Sequence, residues 1–160
     1  MPDIRLVWSV VCARSVIDKE SNNVSLIDAL EQIQVELVRS TAKAPVHLPF
    51  RIEWVTLWTR LLGEVPTVGR ARDTIESPDG TVLFENEYDV DVHKKRRTRV
   101  TRRLGGLPLP ASGTYRFLTH TQVEGHDTWQ VVSDVPLEIS IKKPAKAADT
   151  RRANKAARGK

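Results

Sequence analysis

Hydrophobic and polar positions alternate with a period of two along most of this chain, the pattern of half-buried β-strands. The first segment places Ile4, Leu6, Trp8, Val10 and Cys12 on one face. A polar turn follows at Asp18-Lys19-Glu20-Ser21-Asn22-Asn23. Residues 24–37 read two ways: Ile27, Leu30, Ile33 and Leu37 suit a helical stripe, whereas the β-branched Val24, Ile27, Ile33 and Val35 suit one bent strand or two short ones. Strand is the reading adopted. Residues 39–49, with Pro45 and Pro49, form a loop. In residues 50–61 the side chains Phe50, Ile52, Trp54 and Trp58 share one face and Val55, Leu57 and Leu61 the other, so both faces are buried.

A weaker strand over 69–76 closes on Ser77-Pro78-Asp79-Gly80, a hairpin turn by composition. Val82, Phe84, Tyr88, Val90 and Val92 then alternate with Glu85, Glu87, Asp89 and Asp91. This predicts a strand with an acidic outer face, turning through 93–97 and returning over 98–104. Segments 114–123 and 129–141 complete the set, the last with Trp129, Val131, Val135, Leu137, Ile139 and Ile141 facing one way. About eight strands separated by turns predict an all-β protein, an immunoglobulin-like antiparallel β-sandwich over residues 1–141. Residues 142–160 have no aromatic or branched apolar side chain and are expected to be a disordered basic tail.

The step Leu109-Pro110-Ala111-Ser112-Gly113-Thr114-Tyr115-Arg116-Phe117 is the most specific local motif. A Gly-x-Tyr-x-hydrophobic entry into a late strand is how immunoglobulin-type sandwiches build a tyrosine corner, in which the phenol bonds back to backbone a few residues upstream. Gly113 and Tyr115 would then be structural. Phe117 stands where an antibody domain has its second cysteine, and Trp54 or Trp58 supplies the core tryptophan.

Charge changes the picture in two places. The 160 residues carry 25 Lys+Arg against 20 Asp+Glu, a formal net charge of +5. Eight of the basic residues and one acid lie in 142–160, so the body is mildly acidic. Seven more basic residues and no acid occupy 94–103. If the strands flanking this run pair as a hairpin, Asp91 faces Arg99, Glu87 faces Arg103 and Val90 meets Val100, an opposite-charge ladder that neutralises two arginines. Lys94, Lys95, Arg96, Arg97 and Arg102 are left as free charge for phosphate or a partner. Arg151, Arg152, Lys155 and Arg158 of the tail are candidates for weak, salt-sensitive binding to nucleic acid; with no aromatic among them, base stacking is not open to the tail itself.

Reactive constellations are missing from the sequence. His47, His93, His120 and His126 are scattered without the spacing of a metal site, and no phosphate loop, nucleophile elbow or dinucleotide fingerprint occurs. Cys12, the only cysteine, lies on an apolar face and behaves as a small hydrophobe. No catalytic residue, metal or cofactor is expected. The opening Met1-Pro2-Asp3 lacks the character of a signal peptide and no apolar run reaches the roughly 18–20 residues of a membrane helix, which predicts a cytoplasmic protein.

The stretches Cys12-Ala13-Arg14-Ser15-Val16-x-Asp18, Asn22-Asn23-x-Ser25-Leu26-Ile27, Leu57-Trp58, Ser77-Pro78-Asp79-Gly80 and Leu109-Pro110-x-x-Gly113-x-Tyr115-x-Phe117 together resemble a family of small bacterial proteins that carries only a domain-of-unknown-function label. The likeness covers residues 4–141 and consists of turns and core positions. It implies a β-sandwich and a bacterial origin, and supplies no active site. The basic tail and the arginine-dense hairpin depart from that family's plainer, acidic hairpin. The expected role is a non-enzymatic binding or adaptor module with a protein partner. The alternative is a nucleic-acid-associated accessory protein using the tail and residues 94–97.

Overall fold

The computed structural model describes residues 4–37, 46–60, 68–122 and 127–142. The expected tail from Lys143 onward, with Arg151, Arg152, Lys155 and Arg158, lies outside these residues, as do Leu61 and His126. Among the described residues the chain is all-β. Its strands are β1 (Ile4–Ile17), β2 (Val24–Ala29), β3 (Gln32–Glu36), β4 (Val46–His47), β5 (Ile52–Arg60), β6 (Val68–Glu76), β7 (Val82–Asp91), β8 (Arg97–Leu104), β9 (Pro108–Leu109), β10 (Gly113–Gln122) and β11 (Trp129–Lys142). Two sheets, β2-β1-β5-β8 and β3-β11-β10-β6-β7, face one another, and β4 pairs with β9 as a two-stranded piece.

The ambiguous residues 24–37 are two short strands, and they belong to different sheets. Asp28, at φ 52, turns the chain out of β2. The Leu30 amide then donates to the Val11 carbonyl at 2.8 Å, and β3 joins β11 in parallel. The sandwich is therefore antiparallel except at this one edge.

The central strands are buried on both sides, as the run from Ile52 to Trp58 requires. Phe50, expected among them, is 44% exposed because the strand starts only at Ile52. Trp54 packs edge-on against Phe117, with ring centroids 5.2 Å apart and planes at 88°. This is the edge-to-face geometry that aromatic quadrupoles favour. The Tyr115 hydroxyl donates to the Ala111 carbonyl at 2.7 Å. Gly113, at φ 141, lets this corner approach the 77–80 hairpin, since a Cβ there would lie 2.8 Å from Pro78. In that hairpin Gly80 takes φ 84 and the Ser77 amide donates to the Thr81 carbonyl at 2.9 Å.

Three expectations about faces and partners are corrected. A bulge at Val7 shifts the β1–β5 register between Leu6 and Trp8. One extra residue reverses the alternation, so Leu6 pairs with Trp58 on the inner face while Trp8, Val10 and Cys12 lie outward beside Leu57, Val55 and Glu53. A second bulge omits Val132 from the β10–β11 ladder and carries Trp129 and Val131 off the face that holds Val135, Leu137 and Ile139. Trp129 lies instead under the guanidiniums of Arg72 and Arg70, at 4.8 and 5.7 Å.

The third correction concerns the charge ladder. β7 pairs with β6 and β8 pairs with β5, in opposite sheets. Residues 92–96 are a crossing between sheets and not a hairpin loop. Val90 and Val100 do meet, within the same apolar cluster, but across the sandwich interior. Asp91 and Glu87 therefore point away from the molecule on one side, and Arg99 and Arg103 on the other.

Candidate functional site

Two apolar clusters fill the interior. One is built on Trp54, Ile75, Tyr115 and Phe117, the other on Ile4, Trp58, Ala71, Val90 and Val92. A polar stripe separates them. Thr56 falls between Trp54 and Trp58, Asp73 between Ala71 and Ile75, and Arg102 between Val100 and Leu104, each in phase with its apolar neighbours. Arg102 Nε stands 3.3 Å from Asp73 Oδ2, its guanidinium lies 4.2 Å from the Tyr88 ring, and Tyr88 Oη donates to Asp73 Oδ1 at 3.1 Å. Arg102 is thus not the free charge expected of it: it reaches inward from edge strand β8 to a carboxylate with 1% side-chain exposure. Burial raises the Asp73 carboxyl above its ordinary range against the opposing pull of Arg102 and Tyr88. Burial also lifts the Tyr88 phenol well above its usual range.

On the outer face of the β2-β1-β5-β8 sheet, Glu53 accepts from the backbone amide and hydroxyl of Ser15 and from Arg103 Nε at 3.3 Å. Burial works to raise this carboxyl, but the Ser15 bonds and Arg103 together hold it below its ordinary value. Beneath it Cys12 is fully buried, and burial followed by the Glu53 charge raises its thiol. Asp73 thereby ties one sheet to the other, and Glu53 ties three adjacent strands of a single sheet together.

The remaining concentration of chemistry is a cleft of about 610 Å³ on that same outer face. The Val7 bulge creates its floor: Trp8 stands beside Leu57, and Leu57 beside Arg99, in one row across three strands. One wall is the turn between β1 and β2. Asp18 Oδ1 accepts from the amides of Glu20 and Ser21 at 2.9 and 2.7 Å and from the Ser21 hydroxyl, and the Ser21 amide foremost lowers its pKa. Asn22, at φ 56, turns its carbonyl to accept from Arg99 Nη2 at 2.8 Å. Lys95 and Arg97 form the other wall, so the lining holds three cations and no acid.

The candidates from sequence are thus divided. Lys95 and Arg97 line the cleft; Lys94 and Arg96 are exposed on the crossing segment, whose Arg96 carbonyl is held by the Arg60 amide and Thr59 hydroxyl. Trp8 and Arg99 were not anticipated. Period-two alternation placed Trp8 on the core face, and the hairpin register gave Arg99 to Asp91. The signal that was available is the pair of Asn residues at 22 and 23, which tolerate the left-handed backbone that brings the turn over Trp8. Among the described residues no three His, Cys, Asp or Glu side chains converge in a metal-holding group.

No protein-family model and no curated protein matches the chain. Among solved structures the chain is similar to the C-terminal domain of wzt, with 10% identity and a TM-score of 0.47 over 88% of this chain and 75% of that one. It is also similar to part of a family 123 glycoside hydrolase from Clostridium perfringens, with 7% identity and a TM-score of 0.42; 88% of this chain corresponds to 28% of that one. Likenesses this distant say nothing about ligand or reaction.

Proposed function

We propose that this protein is a non-catalytic binding module whose cleft over Trp8 takes a phosphate-bearing ligand with a flat apolar part, the chemistry of a nucleotide or of a short single-stranded nucleic acid. The observation that carries this reading is the convergence of Lys95, Arg97 and Arg99, without a carboxylate, on the apolar floor of Trp8 and Leu57. Cations alone would bind any polyanion weakly and with strong salt dependence. An aromatic surface beside them adds stacking, worth about 1–3 kcal/mol per base, and does not require a particular sequence. This supplies what the tail composition lacks. A non-catalytic role is supported by the engagement of Glu53 and Asp73 in ion pairs with Arg103 and Arg102.

The test is a titration of the full chain with a labelled oligothymidylate, a nucleoside diphosphate and inorganic pyrophosphate at low and moderate salt. Trp8→Ala is expected to weaken oligonucleotide and nucleotide binding about tenfold, a loss of about 1.4 kcal/mol, while leaving pyrophosphate binding unchanged. Arg97→Ser should weaken all three and flatten the salt dependence. Tighter binding of the oligomer than of the nucleotide identifies the single strand as the ligand. Equal binding by wild type and both variants would overturn the assignment.

A further inference from the structure

The two strands that bracket the sheet-to-sheet crossing are both sheet edges. β7 ends the five-stranded sheet and β8 the four-stranded sheet, and among the described residues no strand pairs on the outer side of either. Both edges lie on the same rim of the sandwich, because Arg102 of β8 stacks on Tyr88 of β7 and Val100 joins the cluster of Val90. Their charges are opposite. Glu85, Glu87, Asp89 and Asp91 lie on the outer face of β7, with Glu87 accepting from Arg70 of β6 at 2.6 Å. Arg97, Arg99 and Arg103 lie on that of β8, with Arg103 bonded to Glu53 of β5 and Arg99 to the Asn22 carbonyl; a partner's ladder adds to these bonds. Long open edges are pairing templates, and charge decides with what.

We infer that a second copy of this chain covers this rim, β7 of each protomer adding to β8 of the other about a two-fold axis parallel to the strands. The alternative two-fold, perpendicular to the sheets, would set β7 against β7 and β8 against β8, acid on acid and base on base. The parallel axis instead makes both new ladders antiparallel, since consecutive strands β7 and β8 run in opposite directions. It also sets the register. A rotation about the strand axis leaves height along the strands unchanged, so residues opposed across one sandwich become neighbours along the joined sheets. Tyr88 opposes Arg102 and Val90 opposes Val100 within a protomer; between protomers Glu87 therefore comes beside Arg103, Asp89 beside Thr101 and Asp91 beside Arg99, where it competes with an anionic ligand for one cation of the cleft. Directly opposite residues of a ladder have Cβ atoms about 4.5–5.5 Å apart. The result is a closed, isologous dimer with no edge left on this rim.

The experiment uses sedimentation equilibrium of full-length protein and two charge-reversed variants. Glu87→Arg with Asp89→Arg makes both rims basic, and Thr101→Glu with Arg103→Glu makes both acidic. The wild type is expected at twice the chain mass, each variant alone at the monomer mass, and the equimolar mixture of variants at twice the chain mass again. Circular dichroism of each variant establishes that it is folded. Independently, Glu87→Cys with Arg103→Cys should give a disulfide-linked dimer under mild oxidation, because within one chain the two positions lie on opposite outer faces. Glu87→Cys with Arg99→Cys, four residues out of register, should not. A wild type that stays monomeric at hundreds of micromolar, a mixture that fails to associate, or cross-linking only in the out-of-register pair would overturn the inference.

Discussion

Asp73 and Arg102 meet inside the sandwich, from strands of opposite sheets, with Oδ2 3.3 Å from Nε and the carboxylate sealed from solvent. Buried pairs of this kind offset most of their own desolvation and add little net stability, yet breaking one leaves a charge uncompensated. Arg102→Met is therefore expected to cost about 3–5 kcal/mol. Asp73→Asn combined with Arg102→Met should recover most of that loss, because a neutral amide can still accept from Tyr88. Urea denaturation of the two single variants and the double variant measures the coupling; additive losses would show that the pair is not energetically linked. The Asp73 carboxyl is held above 3.8, so the native state keeps its proton longer than the unfolded chain. Between that ordinary value and the raised one, this residue makes stability fall as pH rises, and Asp73→Asn should remove the slope.

The two aromatic anchors should differ in cost. Tyr115→Phe deletes only the hydrogen bond to the Ala111 carbonyl and is expected to lose about 0.5–1.5 kcal/mol. Trp54→Ala empties the space against Phe117 and should lose about 3–5 kcal/mol. The midpoints of urea unfolding curves, with unchanged slopes, give both numbers. Near-equal losses would mean that the corner hydrogen bond matters far more than a single exchangeable contact.

Acid should weaken the fold in two steps. Burial holds the His120 imidazole below its ordinary 6.5, while its Nδ1–H donates to the Arg72 carbonyl. The unfolded chain takes up this proton first, so stability is lost as pH falls from 6.5 toward the depressed native value. Glu53, held below 4.5, adds a second loss in the carboxylate range as pH drops through its native value. Unfolding free energies measured from about pH 7.5 to about pH 5.5 should decline in wild type and stay level in His120→Gln. A decline of equal size in both proteins would assign the effect to other groups.

Cys12 should be inert in the folded protein. Its thiol is fully buried, and burial and Glu53 disfavour the thiolate, the reactive form. A thiol reagent at neutral pH is expected to label it no faster than the protein unfolds, with labelling accelerating in urea. Prompt stoichiometric labelling in buffer would mean that β1 opens locally.

Local chemistry is what the sequence expresses well. The turn at 77–80, the corner at Gly113 and Tyr115 and the doubly buried strand around Trp54 all follow from neighbours within a few residues. The polar stripe was legible in principle, since Asp73, Thr56 and Arg102 each sit two residues from apolar positions on the same face. In sequence, an in-phase polar residue looks the same as a weak strand until its partner in the other sheet is known.

By itself, then, the sequence determined that this chain forms strands, where they turn, and which residues alternate within each. Tertiary structure alone decided which strands pair. Five residues between β7 and β8 are long enough to close a hairpin or to cross between sheets, and only packing of Val90, Tyr88 and Val100 into one interior selects the crossing. It also decided where alternation breaks. A single inserted residue at Val7 or Val132 leaves the composition of a strand unchanged while reversing every face beyond it, and at Val7 that reversal turns Trp8 from a core residue into the floor of a cationic cleft.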